Sequence, residues 1–198
     1  GGDAALRGVA QYFGVHVDHF AAVLAREFGI ERMFLSSVHA YTSRERLADV
    51  PADDPRHGRA AAENIIPSAT QAAAMLEELI PALRGKISGL AMNVPVPNGS
   101  LVDLTTWHER PVSVAGVNAA LRAASETPAL RGVLAYETEP IVSSDILQTS
   151  ASSTFDSLLT MTLGERMCKT IAWFDNSWGY SHRVLDLVDR FARLDGEA

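Results

Sequence analysis

The sequence predicts an α+β domain whose sheet is mainly antiparallel. Short segments rich in β-branched and aromatic residues recur along the chain, two of them meet at the turn-forming Pro97-Asn98-Gly99, and stretches with apolar residues at helical spacing are inserted between the strands. With 198 residues, 47% of them hydrophobic and 21% charged, the chain is long enough to bury a core without disulfide staples.

The elements follow in order. In DHFAAVLAREFG (18–29), Phe20, Leu24 and Phe28 recur every four residues between Asp18, a candidate N-cap, and Gly29, a stop signal, so a helix is expected. RMFLSSVHAY (32–41) is short and bounded by polar residues, as a strand ending near His39 would be. Residues 43–63 form a charged excursion with Pro51, Pro55 and Gly58, a length of loop that usually serves function or an interface. A helix over SATQAAAMLEELIPAL (68–83) precedes the strands KISGLAMNVPVP (86–97) and SLVDLTTWHE (100–109), whose connecting turn predicts an antiparallel hairpin or near neighbours. SVAGVNAALRAAS (113–125) reads as a helix capped by Ser113, and GVLAYE (132–137), DSLLTMTLG (156–164) and RMCKTIAWFD (166–175) as strands. SHRVLDLVDRFARL (181–194) ends the series as an amphipathic helix with Val184, Leu187, Val188 and Phe191 on one face.

Composition excludes several classes of function. A formal charge of −7 and a pI near 5.3 argue against nucleic acid as a partner, because phosphate backbones need a basic face. The single cysteine, Cys168, excludes an internal disulfide and a multi-thiolate metal site, which suits a reducing cytoplasm. No apolar stretch approaches the roughly 20 residues of a membrane span, and no basic-then-apolar leader opens the sequence. A cytoplasmic protein with no membrane partner is expected.

Five blocks carry a resemblance. SSVHAYTS (36–43), RAAAENIIPSAT (59–70), GLAMNVPVPNGSLVDLT (89–105), IVSSDI (141–146) and WFDNSWGYSHRVLDLV (173–188) follow one another as in the catalytic domain of glyceraldehyde-3-phosphate dehydrogenase. The chain resembles that domain from Phe20 to its C-terminal helix. The resemblance implies a mixed, mainly antiparallel sheet of about eight strands with helices on one face and a homo-oligomer, dimer or tetramer, packed on the other. It also implies that the 43–63 excursion corresponds to a loop reaching toward a neighbouring subunit's cofactor site, where Arg56 and Arg59 match positions that hold phosphate or bridge the interface.

The resemblance assigns roles residue by residue. His39 matches the general base, Thr42 and Thr70 match hydroxyls of the phosphate sites, and Asn176 and Tyr180 match positions that contact the nicotinamide. Several positions depart from the pattern. Asn93 stands where an arginine grips phosphate, Gln71 where a glycine follows the threonine, and Ser177 where a glutamate follows the asparagine. Counting back from Phe28-Gly29-Ile30, the two cysteines of the family's nucleophile segment fall at Tyr12 and His16. Residues 1–19 also lack a G-x-G-x-x-G turn, so 1–198 reads as one catalytic-domain-like domain, with 1–16 a divergent segment in place of the nucleotide-binding domain. No cofactor and no metal is expected. Cys168, in an apolar strand, reads as packing, and His16, Asp18 and His19 read as a solvated helix start rather than a metal site.

A missing thiolate removes the route to the thioester that phosphorylating oxidation needs. The function expected is therefore non-redox acid/base chemistry, a cyclisation, isomerisation or elimination on a small molecule. His39 would be the acid/base, and Tyr12 or His16 a second group, Tyr12 being equally readable as an aromatic plug. A non-catalytic oligomeric scaffold or regulatory pseudoenzyme is the alternative, and the catalytic half of a split NAD-dependent dehydrogenase a third.

Overall fold

A computed structural model describes residues 17–196; Tyr12 and His16 lie outside the described residues. Helix α1 (Asp18–Phe28) buries Phe20, Val23 and Leu24 and is stopped by Gly29, whose N–H reaches the Ala25 carbonyl at 3.0 Å. The expected cap is corrected. Val17 occupies the N-cap position with no side-chain bond, and Asp18 lies inside the helix with Oδ1 accepting from the His19 N–H at 2.8 Å. Nor is this start solvated: Val17 and Phe20 both face the core and carry Asp18 and His19 below the surface with them, at 3% and 8% exposure.

The strands are β1 (Arg32–Ala40), β2 (Ile66–Ser68), β3 (Ile87–Val94), β4 (Ser100–Trp107), β5 (Leu134–Glu137), β6 (Ser153–Asp156), β7 (Met161–Leu163) and β8 (Met167–Phe174). They form one sheet in the order β2-β3-β1-β4-β8-β6-β5, with β7 also on β8. Only β1–β3 and β5–β6 are parallel; the other pairings are antiparallel, as the α+β expectation requires. β3 and β4 are near neighbours and not a hairpin, because β1 lies between them, parallel to β3 and antiparallel to β4. The Pro97-Asn98-Gly99 turn thus carries the chain across β1, a step of two strand spacings or about 10 Å.

Helix α2 (Ala72–Leu79) packs near β3, and α3 (Val114–Ser125) packs on α1 and β5. Ser113 caps α3 as expected, its side chain accepting from the Gly116 N–H at 3.1 Å. The strand expected over 156–164 splits into a short 3-10 turn, Ser157–Leu159, and β7. β6 was hidden by its composition: Ser153, Thr154 and Asp156 are polar but buried, so the strand has no apolar alternation to read.

Met33, Leu35, Val102, Leu104, Cys168 and Ala172 alternate inward from β1, β4 and β8 and meet Leu24, Leu76, Val117 and Leu121 from the helices. Among the described residues no helix covers the opposite face. Phe34 and Leu90 are 61% and 44% exposed there, beside the Asp103–Lys169 ion pair. Helix α4 (Trp178–Gly196) presents a second apolar surface, with Val188 and Phe191 58% and 60% exposed. The expected stripe of Val184, Leu187, Val188 and Phe191 lies outside the core cluster of the described residues.

Gly99 sets the entry into β4. Its φ is +85°, and a Cβ there would lie 2.2 Å from the Ser143 carbonyl oxygen. Gly99→Ala is expected to cost about 3 kcal/mol in urea unfolding, from left-handed strain and overlap together.

Candidate functional site

β1 delivers His39 to the end of the sheet, with Asn93 of β3 as its register partner. His39 Nδ1 lies 2.6 Å from the Ala40 carbonyl oxygen, a group that can only accept, so the proton is assigned to Nδ1. The neutral ring then carries its lone pair on Nε2, the atom left for proton transfer. Phe174 packs edge-on against the ring at 6.0 Å. Asn176 Nδ2 comes within 3.4 Å of Nδ1, but with the proton on Nδ1 both atoms are donors and the two make no hydrogen bond.

Asn176 is held from its other end. The Ser100 hydroxyl donates to Asn176 Oδ1 at 2.5 Å and accepts from the Ala40 N–H at 3.0 Å, closing a circuit around the end of β1. The next residue back, Asp175, is buried and fixes the strand-to-helix junction. Its Oδ1 accepts from the N–H groups of Ser177 and Trp178, at 2.9 and 2.8 Å. Oδ2 accepts from Asn98 Nδ2 and the Gln148 N–H, at 3.0 and 2.9 Å. Burial by itself pushes this carboxyl up, but the bonds from Trp178, Gln148, Ser177 and Asn98 outweigh it and hold the group below its ordinary value. Gln148 has φ +63°, the one non-glycine at positive φ among the described residues, and its bond to Asp175 is part of what keeps it there.

Thr42 and Asn93 converge, and what they converge on is Glu45. The N–H and hydroxyl of Thr42 donate to Glu45 Oε2 at 2.7 and 2.8 Å, and Asn93 Nδ2 donates to Oε1 at 3.2 Å. Thr70 is not part of this cluster of bonds; its hydroxyl accepts from the Ala72 N–H at 3.1 Å at the start of α2. Gln71 takes the N-cap position of α2 without a side-chain bond. Arg59 pairs within the 43–63 loop with Asp49 at 3.6 Å.

Glu45, Ser100, Asn98 and Asp175 are the residues that sequence reading missed. Two of them carry a local signal. Thr42-Ser-Arg-Glu45 has the T-x-x-E form of a capping box, and Asp175 stands where an Asp accepts from the first N–H groups of a helix. Neither signal says which distant donors join them.

Asn176 has its carboxamide oxygen engaged by Ser100 and its nitrogen turned to His39, and Tyr180 is 47% exposed on α4. Among the described residues no group of three or more His, Cys, Asp or Glu side chains is placed to hold a metal ion. Cys168 is fully buried and burial pushes its thiol up to about 11, which makes it packing and not a nucleophile. Burial likewise raises the Asp18 carboxyl well above its ordinary value, the His19 N–H bond offsetting only part of that. Among the described residues no helix is long and apolar enough to cross a membrane.

The model of the glyceraldehyde 3-phosphate dehydrogenase C-terminal domain matches residues 17–176. The glyceraldehyde-3-phosphate dehydrogenase of Geobacillus stearothermophilus is 50% identical over 169 residues, 85% of this chain and 50% of that protein. The enzymes of that name from Borreliella burgdorferi and Streptomyces coelicolor are 47% and 48% identical, over 87% and 85% of this chain. The chain spans about half the length of the curated relatives it matches.

Because Asp175 has its pKa lowered in the folded state, the stability it contributes is complete above the ordinary value of 3.8 and is lost as pH falls through the depressed native value. Asp175→Asn is expected to lose about 3 kcal/mol at pH 7. The gap to wild type should narrow at pH 3, as read by urea unfolding at both pH values.

Proposed function

The chain belongs to the glyceraldehyde 3-phosphate dehydrogenase C-terminal-domain family, and on that premise we propose that it carries out non-redox acid/base chemistry on a small molecule, with His39 as the proton-transfer group. The observation that carries this reading is the bond from Nδ1 to the Ala40 carbonyl, which leaves Nε2 as a base at the mouth of a strand. On this reading Nε2 removes a proton from a carbon or hydroxyl of the substrate. The imidazolium so formed keeps its Nδ1–H on the Ala40 carbonyl oxygen. Returning the proton to a neighbouring atom completes an isomerisation and loss of a leaving group an elimination; a cyclisation follows when the oxygen or carbanion adds to a carbonyl of the same substrate, whose π bond opens and whose oxygen takes the proton back from the imidazolium. No electron carrier enters any of the three.

The cysteine supports the same choice. Cys168 is the single cysteine of the sequence and is buried in β8, so a thioester route has no nucleophile there. Tyr12 and His16, at the positions where the family carries its cysteines, are proposed as the second group of the pocket. We place the protein in the cytoplasm as a homo-oligomer, dimer or tetramer, whose subunits cover the face bearing Phe34 and Leu90.

The second reading, a non-catalytic oligomeric scaffold, is favoured by the extent of exposed apolar surface on that face and on α4. Substitution separates the two. Once a substrate is found by screening small molecules, His39→Ala is expected to lower kcat by about 100-fold to 10,000-fold with the fold and thermal midpoint preserved. Unchanged turnover points to the scaffold. The purified chain is also expected to reduce no NAD with glyceraldehyde-3-phosphate, as read by absorbance; robust turnover would contradict the non-redox assignment outright.

A further inference from the structure

At the end of β1 and β3, where the proposed function places a substrate, a carboxylate of the chain itself occupies converging hydrogen-bond donors. Both oxygens of Glu45 are engaged: Oε2 by the N–H and hydroxyl of Thr42, Oε1 by the amide nitrogen of Asn93. The donors come from two elements, the segment leaving β1 and the strand β3, and Asn93 is only 9% exposed. Asn93, which holds this carboxylate, is the register partner of His39. A T-x-x-E capping turn needs Thr42 and Glu45 alone. The bond from Asn93, 48 positions away in sequence, is what ties the turn to the pocket.

Three converging donors suit an oxyanion, and charge-assisted bonds of this kind are the strong ones. A second anion arriving here would meet a like charge and find the donors already taken. A carboxylate offers about four acceptor sites, so after three bonds it retains capacity to accept. We infer that Glu45 is an internal anion that closes this corner to phosphate-bearing compounds and sets the substrate class: the group placed here is an uncharged or cationic hydrogen-bond donor, a hydroxyl or an ammonium. The inference rests on the proposed function only in placing a substrate in the pocket; the occupied corner stands on its own hydrogen bonds.

Inorganic phosphate is the probe, titrated calorimetrically at constant ionic strength into the full chain as wild type, Glu45→Ala and the isosteric Glu45→Gln. Phosphate is expected to bind Glu45→Ala at least tenfold more tightly than wild type, with Glu45→Gln in between. Adding Asn93→Ala to Glu45→Ala should take most of that gain away. Glu45→Gln keeps the shape of the side chain, so it reports even where the alanine variant folds poorly. Equal phosphate affinity in wild type and both variants overturns the inference, whether that affinity is weak, which makes Glu45 a turn cap alone, or strong, which means that Glu45 yields its place. Adding His39→Ala to Glu45→Ala should leave the tenfold gain in place. A failure of the acid/base reading therefore shows in turnover, and a failure of this one in phosphate binding.

Discussion

The buried carboxylate of Asp175 holds together the segments that meet at the end of the sheet near His39. It ties the start of α4 to the turn before β4 through Asn98 and to the 148 region through the Gln148 N–H. Four donors on one ionised group are enough to outweigh the cost of burying it, which is why the group stays charged and why it fixes geometry instead of only filling space. Everything at the mouth of the sheet is placed relative to that junction. Asn176 follows Asp175 in sequence, Ser100 follows the turn that Asn98 anchors, and the two meet at 2.5 Å over the end of β1. His39 takes its orientation from the same end, through the carbonyl of Ala40.

From this frame the chemistry divides by residue. The bond from Nδ1 to a backbone carbonyl leaves the ring's lone pair on Nε2 without recourse to a carboxylate partner, and the proposed chemistry uses that nitrogen. The Glu45 carboxylate is held by Thr42 and by Asn93, the register partner of His39. Family membership accounts for the frame, since the match runs through residues 17–176. It does not account for the pocket's charge pattern, which depends on an asparagine at position 93 and a glutamate at position 45.

Local structure was legible wherever one segment decided it. Ser113 is followed by helical spacing and caps α3; β1 is a short apolar run with polar bounds and is a strand. What failed depended on partners elsewhere. The turn at Pro97-Asn98-Gly99 reverses the chain as its residues demand, but only the insertion of β1 between β3 and β4 decides that no hairpin forms. Asp18 has the chemistry of a cap, yet the burial of Val17 and Phe20 pulls it into the interior. The site divides the same way. His39, Thr42, Asn93 and Asn176 are recognisable from short motifs, whereas Glu45 and Asp175 gain their roles from Asn93 and Asn98, 48 and 77 positions away. Thr70 and Gln71 stand at the start of α2, where the Thr70 hydroxyl accepts from an otherwise unpaired N–H of the helix and Gln71 makes no side-chain cap bond.

The protonation of one imidazole tests the account most directly. Two-bond nitrogen–proton correlation spectra of the histidine rings, recorded at a pH where His39 is neutral, distinguish a ring carrying its proton on Nδ1 from one carrying it on Nε2. The account predicts the Nδ1–H form for His39, with an unprotonated Nε2, in wild type. A His39 ring that is protonated on Nε2 when neutral would contradict it, because the nitrogen assigned to proton transfer would then have no lone pair to offer.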